Sequence, residues 1–170
     1  MKKFWAWITC GAFVLLLGIC ACLFWVAYPL KYKSTIVKYS DKYNLQPELV
    51  ASVICVESRY KPKATSSAGA SGLMQLMPST YTWVQEELGL TEDIFNVDNN
   101  VQAGCYYLRH LLNKYNNLVY VLACYNAGEG VVATWGSSDQ FDVGNIKYPE
   151  TKNYVNRVLS LQKLYRSRFD

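Results

Sequence analysis

Between Phe4 and Leu30 the sequence carries no charged residue, and that run limits the fold more than any other feature. It is dominated by Leu, Val, Ile, Ala, Phe, Trp and Cys, and it exceeds the ~20 residues that a bilayer-spanning helix needs. Trp5 and Trp7 stand at one end, Trp25 and Tyr28 at the other, as an aromatic belt requires. A cleaved signal peptide is the alternative, but the run is long and no Ala-x-Ala-like site follows it. The expectation is an uncleaved anchor over residues 1–33, spanning the bilayer at about 5–28, followed by a separate domain over 34–170. Lys2, Lys3, Lys31 and Lys33 flank the run on both sides, so the positive-inside rule leaves its orientation open. The same four lysines account for the net charge of +4. From Ser34 onward basic and acidic residues balance, and no basic run offers nucleic acid a footprint.

The remainder repeats apolar residues at helical spacing and nowhere alternates with period two, which predicts an all-α domain around one core. Tyr32, Ile36, Tyr39 and Tyr43 mark a first amphipathic helix, broken at Asn44-Leu45-Gln46. Pro47–Ser58 reads as a buried helix. A third covers Ser79–Leu88, between Pro78 and a left-handed stop at Gly89. Asp98 is placed to cap a fourth helix, whose inward stripe is Val101, Cys105, Leu108, Leu112 and Tyr115. Leu118–Tyr125 forms a short apolar helix, Gly136–Pro149 an irregular stretch, and Thr151–Arg166 the last helix.

Glu57 stands out in this pattern. It ends a run in which Leu49, Val50, Val53, Ile54 and Val56 are apolar at helical spacing. An unpaired charge there costs several kcal/mol or more, so the group takes up a proton instead. Pro62 stops the helix soon after, leaving Glu57 in the last turn, at the negative end of the dipole. Both effects raise a carboxyl pKa, as a general acid requires. A structural glutamate paired with Arg59 or Lys61 is the competing reading.

Cysteine and histidine add no second chemistry. Cys10, Cys20 and Cys22 lie in the apolar run. Cys55, Cys105 and Cys124 lie in apolar helical stretches of the domain, where free cysteine behaves as a small buried hydrophobe. Zinc spacing is absent, and His110, the only histidine, has no companion ligand, so neither a metal nor another cofactor is expected.

Glu57-Ser58 is followed by Gly72-Leu73-Met74-Gln75-Leu76-Met77-Pro78. Then come Asn100 with Ala103-Gly104 and Tyr107-Leu108, Tyr125-Asn126-Ala127-Gly128, and Glu150-Thr151-Lys152-Asn153-Tyr154-Val155. In this order, over roughly Ile36 to Leu164, these segments resemble the lytic transglycosylases of the soluble-lytic-transglycosylase (SLT domain) type. The resemblance implies a lysozyme-like helical domain that cleaves peptidoglycan glycan strands. In the implied scheme Glu57 protonates the oxygen between N-acetylmuramic acid and N-acetylglucosamine, assisted by the muramoyl N-acetyl oxygen. It then takes the proton of the C6 hydroxyl as a 1,6-anhydro ring closes. The substrate exists only outside the cytoplasm, so the resemblance implies a single-pass membrane protein with its domain on that side.

Substrate contacts are expected from Ser58, Gln75, Met77, Tyr125, Asn126 and Tyr154. Ser58 can hydrogen-bond the carboxyl group or a sugar substituent, and Gln75 offers donor and acceptor. Met77 gives an adaptable apolar wall. Tyr125 and Tyr154 pair a flat ring with a hydroxyl, suited to stacking on sugar and to positioning Glu57. Asn126 supports its loop or touches substrate. Cys124 stands where the family more often has alanine. Gly144-Asn145 stand where some relatives carry an acidic residue, which bears on one muramoyl contact. Glycoside cleavage usually uses two carboxylates. The resemblance marks only Glu57, and Asp98, Glu129, Asp142 and Glu150 occupy no matching position. A water-using muramidase like a goose-type lysozyme, and a non-catalytic wall-binding module, are the rival readings.

Overall fold

The computed structural model describes residues 28–91 and 93–169, together with 15 and 18. The chain divides into two units, residues 1–30 and 31–170. Nearly all of the expected span, about 5–28, lies outside the described residues. Among the described residues no helix is long and apolar enough to cross a membrane.

The regular elements of the second unit are helices among its described residues. Its helices are α1 (Lys33–Lys42), α2 (Pro47–Ser58), α3 (Pro78–Leu88), α4 (Val97–Tyr115), α5 (Leu118–Ala127), α6 (Glu129–Ala133) and α7 (Pro149–Arg166). Isolated bridges Thr65–Ser71 and Ser71–Leu76 are the extended pairings.

Helix α2 is the axis of the unit. Every residue from Glu48 to Cys55 is buried, as expected for a helix apolar on all sides. Its most extensive partner is α7, which buries Tyr154, Val155, Val158, Leu161 and Tyr165. The start of α2 is tied to the end of α7 by polar contacts. Gln162 Nε2 donates to Gln46 Oε1 at 2.7 Å, and Arg166 Nε lies 3.5 Å from Glu48 Oε1. Helix α4 packs on α1, α3 and α5, and α5 also packs on α7.

Three local expectations are corrected. Asn96, not Asp98, caps α4, its side chain accepting from Asn99 N. Asp98 sits in the first turn, where its negative charge suits the helix dipole, and receives Lys38 Nζ and Tyr39 Oη at 3.0 Å each. Leu112 and Tyr115 are only half-buried, and Leu111 completes the inward stripe instead. The stretch Gly136–Pro149, expected to be irregular, holds two short 3₁₀ turns, the second closed by a reciprocal cap between Asp142 and Asn145. Cys55, Cys105 and Cys124 are free and buried. His110 is half-buried with its ring edge-on to Trp83 at 5.0 Å.

Candidate active site

Glu57 is held in the last turn of α2 by an unusual exit. Arg59 and Tyr60 both adopt left-handed backbone, with φ of 50° and 60°. Such residues cost about 1–3 kcal/mol each and persist only where the surroundings impose them. Arg59 N closes the helix by donating to Cys55 O at 3.2 Å, and buried Tyr60 turns back so that its hydroxyl donates to Ala51 O at 3.1 Å. The chain is thereby folded back on α2 just after Glu57.

The Glu57 carboxyl has no cationic partner among the described residues, which removes the structural pairing with Arg59 or Lys61. Burial raises its pKa to about 7, and the Tyr154 hydroxyl pulls partly in the other direction. No other carboxylate acts on it. The acidic residues Glu92 and Asp170 lie outside the described set. Tyr154 Oη is buried and makes no bond of hydrogen-bond geometry among the described residues. Its approach to Glu57 is thus a short-range polar contact, not a formed bond. Burial and the negative charge of Glu57 both hold the Tyr154 and Tyr125 hydroxyls well above the usual phenol range, so each phenol keeps its proton.

The 64–76 loop is shaped by a buried asparagine. Asn100 Oδ1 accepts from Met74 N at 2.8 Å, while its Nδ2 donates to Ser71 O at 3.1 Å and Ile94 O at 2.8 Å. Three backbone groups are satisfied by one side chain, each worth ~1–3 kcal/mol if left buried and unpaired. Gly72 has φ of 83°, and a Cβ there would run into the Asn100 amide. Met74 then presents its carbonyl to Tyr125 Oη at 2.8 Å, which fixes that ring. The sequence marks Asn100 without giving it a role. The available signal was a polar residue beside Val101 and Ala103 on the buried side of a helix.

The other expected residues divide between the helix that carries Glu57 and the surface grooves. Ser58 is buried and its hydroxyl donates to Ile54 O at 3.2 Å, a bond within α2. Gln75 has left-handed backbone, φ 47°. Its Nε2 donates to Ala64 O at 3.0 Å and Gly72 O at 2.9 Å, while its amide oxygen accepts no hydrogen bond among the described residues. Met77 is 43% exposed at the start of α3, and Asn126 is exposed at the end of α5. Gln75, Met77, Tyr107, Tyr125 and Asn126 line one groove of about 300 Å³. Asn126 and Ala127 also border a second, of about 340 Å³, with Tyr148, Glu150 and Thr151. Glu57, Ser58 and Tyr154 line neither groove. Tyr125 joins the two parts, lying in the first groove and within electrostatic reach of Glu57.

The described residues thus form an all-α domain in which a half-buried carboxylic acid without a cationic partner ends a helix, linked through Tyr125 to a surface groove. Residues 34–146 match the transglycosylase SLT domain, and the chain belongs to that family. It is 31% identical over 151 residues to the soluble lytic murein transglycosylase of Salmonella typhimurium, covering 82% of this chain and 23% of that protein. It is 28% identical to the membrane-bound lytic murein transglycosylase C of Pectobacterium atrosepticum, over 80% of this chain and 47% of that one. The crystal structure of the 70 kDa soluble lytic transglycosylase of Escherichia coli superposes with a TM-score of 0.76 at 30% identity, over 84% of this chain and 25% of that one. The chain thus spans about a quarter of the length of its soluble relatives.

Proposed function

We propose that the chain is a peptidoglycan lytic transglycosylase, with its SLT domain over 34–170 held outside the cytoplasm by a retained anchor at 1–33. The observation that carries the reaction is the state of Glu57, protonated up to about pH 7 by burial and, among the described residues, under the influence of no second carboxylate. Such a group can give a proton to the glycosidic oxygen between N-acetylmuramic acid and N-acetylglucosamine and leave as a carboxylate. The muramoyl N-acetyl oxygen assists departure of the leaving sugar, as in substrate-assisted glycosidases. The Glu57 carboxylate then removes the C6 hydroxyl proton while that oxygen closes on C1. Glu57 is restored, a 1,6-anhydro end is formed and no water is consumed.

Tyr125 and Tyr154 hold the pocket around the carboxyl with neutral hydroxyls. Gln75 Oε1 is placed to accept from a sugar hydroxyl or an acetamido N–H, and Met77 offers an apolar wall to a sugar face. Asn126 stands where the two grooves meet, in reach of either segment of an extended strand. Ser58 has its hydroxyl proton committed to Ile54, so its contribution to substrate is as an acceptor. Support for the anchor comes from the uncharged run Phe4–Leu30 and from the membrane-bound relative.

The deciding experiment is a digest of purified peptidoglycan by the full chain in detergent, with products resolved by mass. Muropeptides ending in 1,6-anhydro-muramic acid, one water lighter than lysozyme products, are expected. Reducing-end products overturn the lyase in favour of a hydrolase, and binding without cleavage leaves a wall-binding module.

A further inference from the structure

The end of the unit that meets the apolar run is unusually basic. Only Lys31 and Tyr32 stand between Leu30 and the first residue of α1. At ~3.3–3.6 Å per residue, Lys33 is at most about 11 Å along the chain from Leu30. That is close to one Debye length at physiological salt. Tyr32 takes left-handed backbone, φ 56°, and its carbonyl accepts from Ile36 N at 2.9 Å, which opens α1.

The far end of α7 folds back to the same place. Lys33 Nζ donates to Arg168 O at 2.5 Å and lies 5.1 Å from the centre of the Phe169 ring. Arg168 lies over the Tyr165 ring, and Arg166 and Lys163 are exposed one turn earlier. Five basic residues, Lys31, Lys33, Lys163, Arg166 and Arg168, thus belong to the two segments that meet here. Their acidic neighbours are Glu48, which meets Arg166, and Asp170, which follows Phe169 in sequence.

We propose that this face is a docking surface for anionic phospholipid headgroups, with Phe169 and Tyr32 as its half-buried aromatic edge. The inference rests on the anchor reading above, which brings the face within reach of the headgroups. The attraction is electrostatic, so it depends on lipid charge and is screened by salt.

The test uses the full chain in nanodiscs of phosphatidylcholine alone or mixed with phosphatidylglycerol, with amide hydrogen exchange read over 31–36 and 163–169. Exchange is expected to slow only on the anionic discs and to quicken again at high salt. Lys31 and Lys163 are exposed and take no part in the hydrogen bonds or ion pairs of the described residues. K31E/K163E is therefore expected to fold and to lose protection by about fivefold per lysine, the ratio that ~1 kcal/mol represents. K31R/K163R keeps it. Equal exchange on both discs, or protection that survives K31E/K163E, overturns the surface alone. A chain that does not float with phosphatidylcholine vesicles at high salt overturns the anchor, and with it the proximity on which this surface depends.

Discussion

Glu57 and Glu129 are the same side chain in opposite circumstances. Glu57, at the end of α2, is half-buried and meets no cation among the described residues, and the loss of water around it holds its pKa up at about 7. Glu129 opens α6, where the helix dipole favours a negative charge. Burial pushes its pKa up as well, but hydrogen bonds from Lys114 and Tyr115 outweigh that, leaving it below the ordinary carboxyl value. Lys114 Nζ lies 2.5 Å from Glu129 Oε2, and Tyr115 Oη donates to the same oxygen. One glutamate is stabilised as an acid and the other as a base. The difference lies in what the fold supplies as a partner, not in depth of burial alone.

The largest expected effect separates them by activity. Glu57→Gln keeps shape and hydrogen-bonding capacity but can neither give nor take a proton. It should lose at least ~10²–10⁴-fold in turnover on peptidoglycan while still binding strands. Glu129→Gln should stay within a fewfold of wild type. Near-normal turnover in Glu57→Gln would erase the functional half of the contrast.

Next in size is the frame that Asn100 gives the 64–76 loop and, through Met74, Tyr125. Asn100→Ala leaves Met74 N–H and the carbonyls of Ser71 and Ile94 buried without that partner. A loss of ~2–4 kcal/mol in chemical denaturation is expected, with activity reduced in the fraction that folds. An unaffected midpoint would show that the 64–76 loop is held by other means.

Stability against pH sharpens the comparison by sign. The folded protein holds the Glu57 proton to higher pH than the unfolded chain, so wild type loses stability as pH rises from about 4.5 through about 7. Glu57→Gln escapes that loss. It should match wild type below this window and exceed it by ~1–3 kcal/mol above it. Glu129 runs the other way. Its contribution is present above the unfolded carboxyl pKa and is lost as pH falls through the depressed folded value. Glu129→Gln should therefore cost ~1 kcal/mol at neutral pH, and less in acid. Thermal unfolding from about pH 2, well below the ordinary carboxyl range, to about pH 8 reads both. Parallel slopes for the two variants would contradict the contrast.

Much of this was legible in the residues, and the omissions have physical causes. The helix boundaries around Pro47, Pro78 and Gly89 are written locally, in proline and glycine chemistry. The partly apolar setting of Glu57 also follows from its helix, whereas its lack of a cationic partner does not, because Arg59 and Lys61 stand close in sequence. Asn100 could be singled out but not assigned, because its three bonds reach residues from six to 29 positions away. The commitment of the Gln75 amide to Ala64 and Gly72 is a property of a left-handed turn that no spacing announces. The Lys114–Tyr115–Glu129 cluster was equally hidden, since α6 lies in a stretch rich in glycine and small residues.

The smallest change concerns the tuning of Glu57. The Tyr154 hydroxyl lowers the Glu57 pKa, so Tyr154→Phe should move the pH–activity profile upward and cost no more than about tenfold in rate. A profile that stays in place would remove Tyr154 from the pocket's electrostatics.

The most direct test is a side-chain carbon NMR titration of glutamate-labelled protein, with Glu57→Gln and Glu129→Gln spectra assigning the two signals. Glu57 is expected to titrate near 7 and Glu129 below the ordinary carboxyl value of 4.5. A Glu57 midpoint at or below 4.5 would leave no proton to deliver near neutral pH and would contradict its role as the acid.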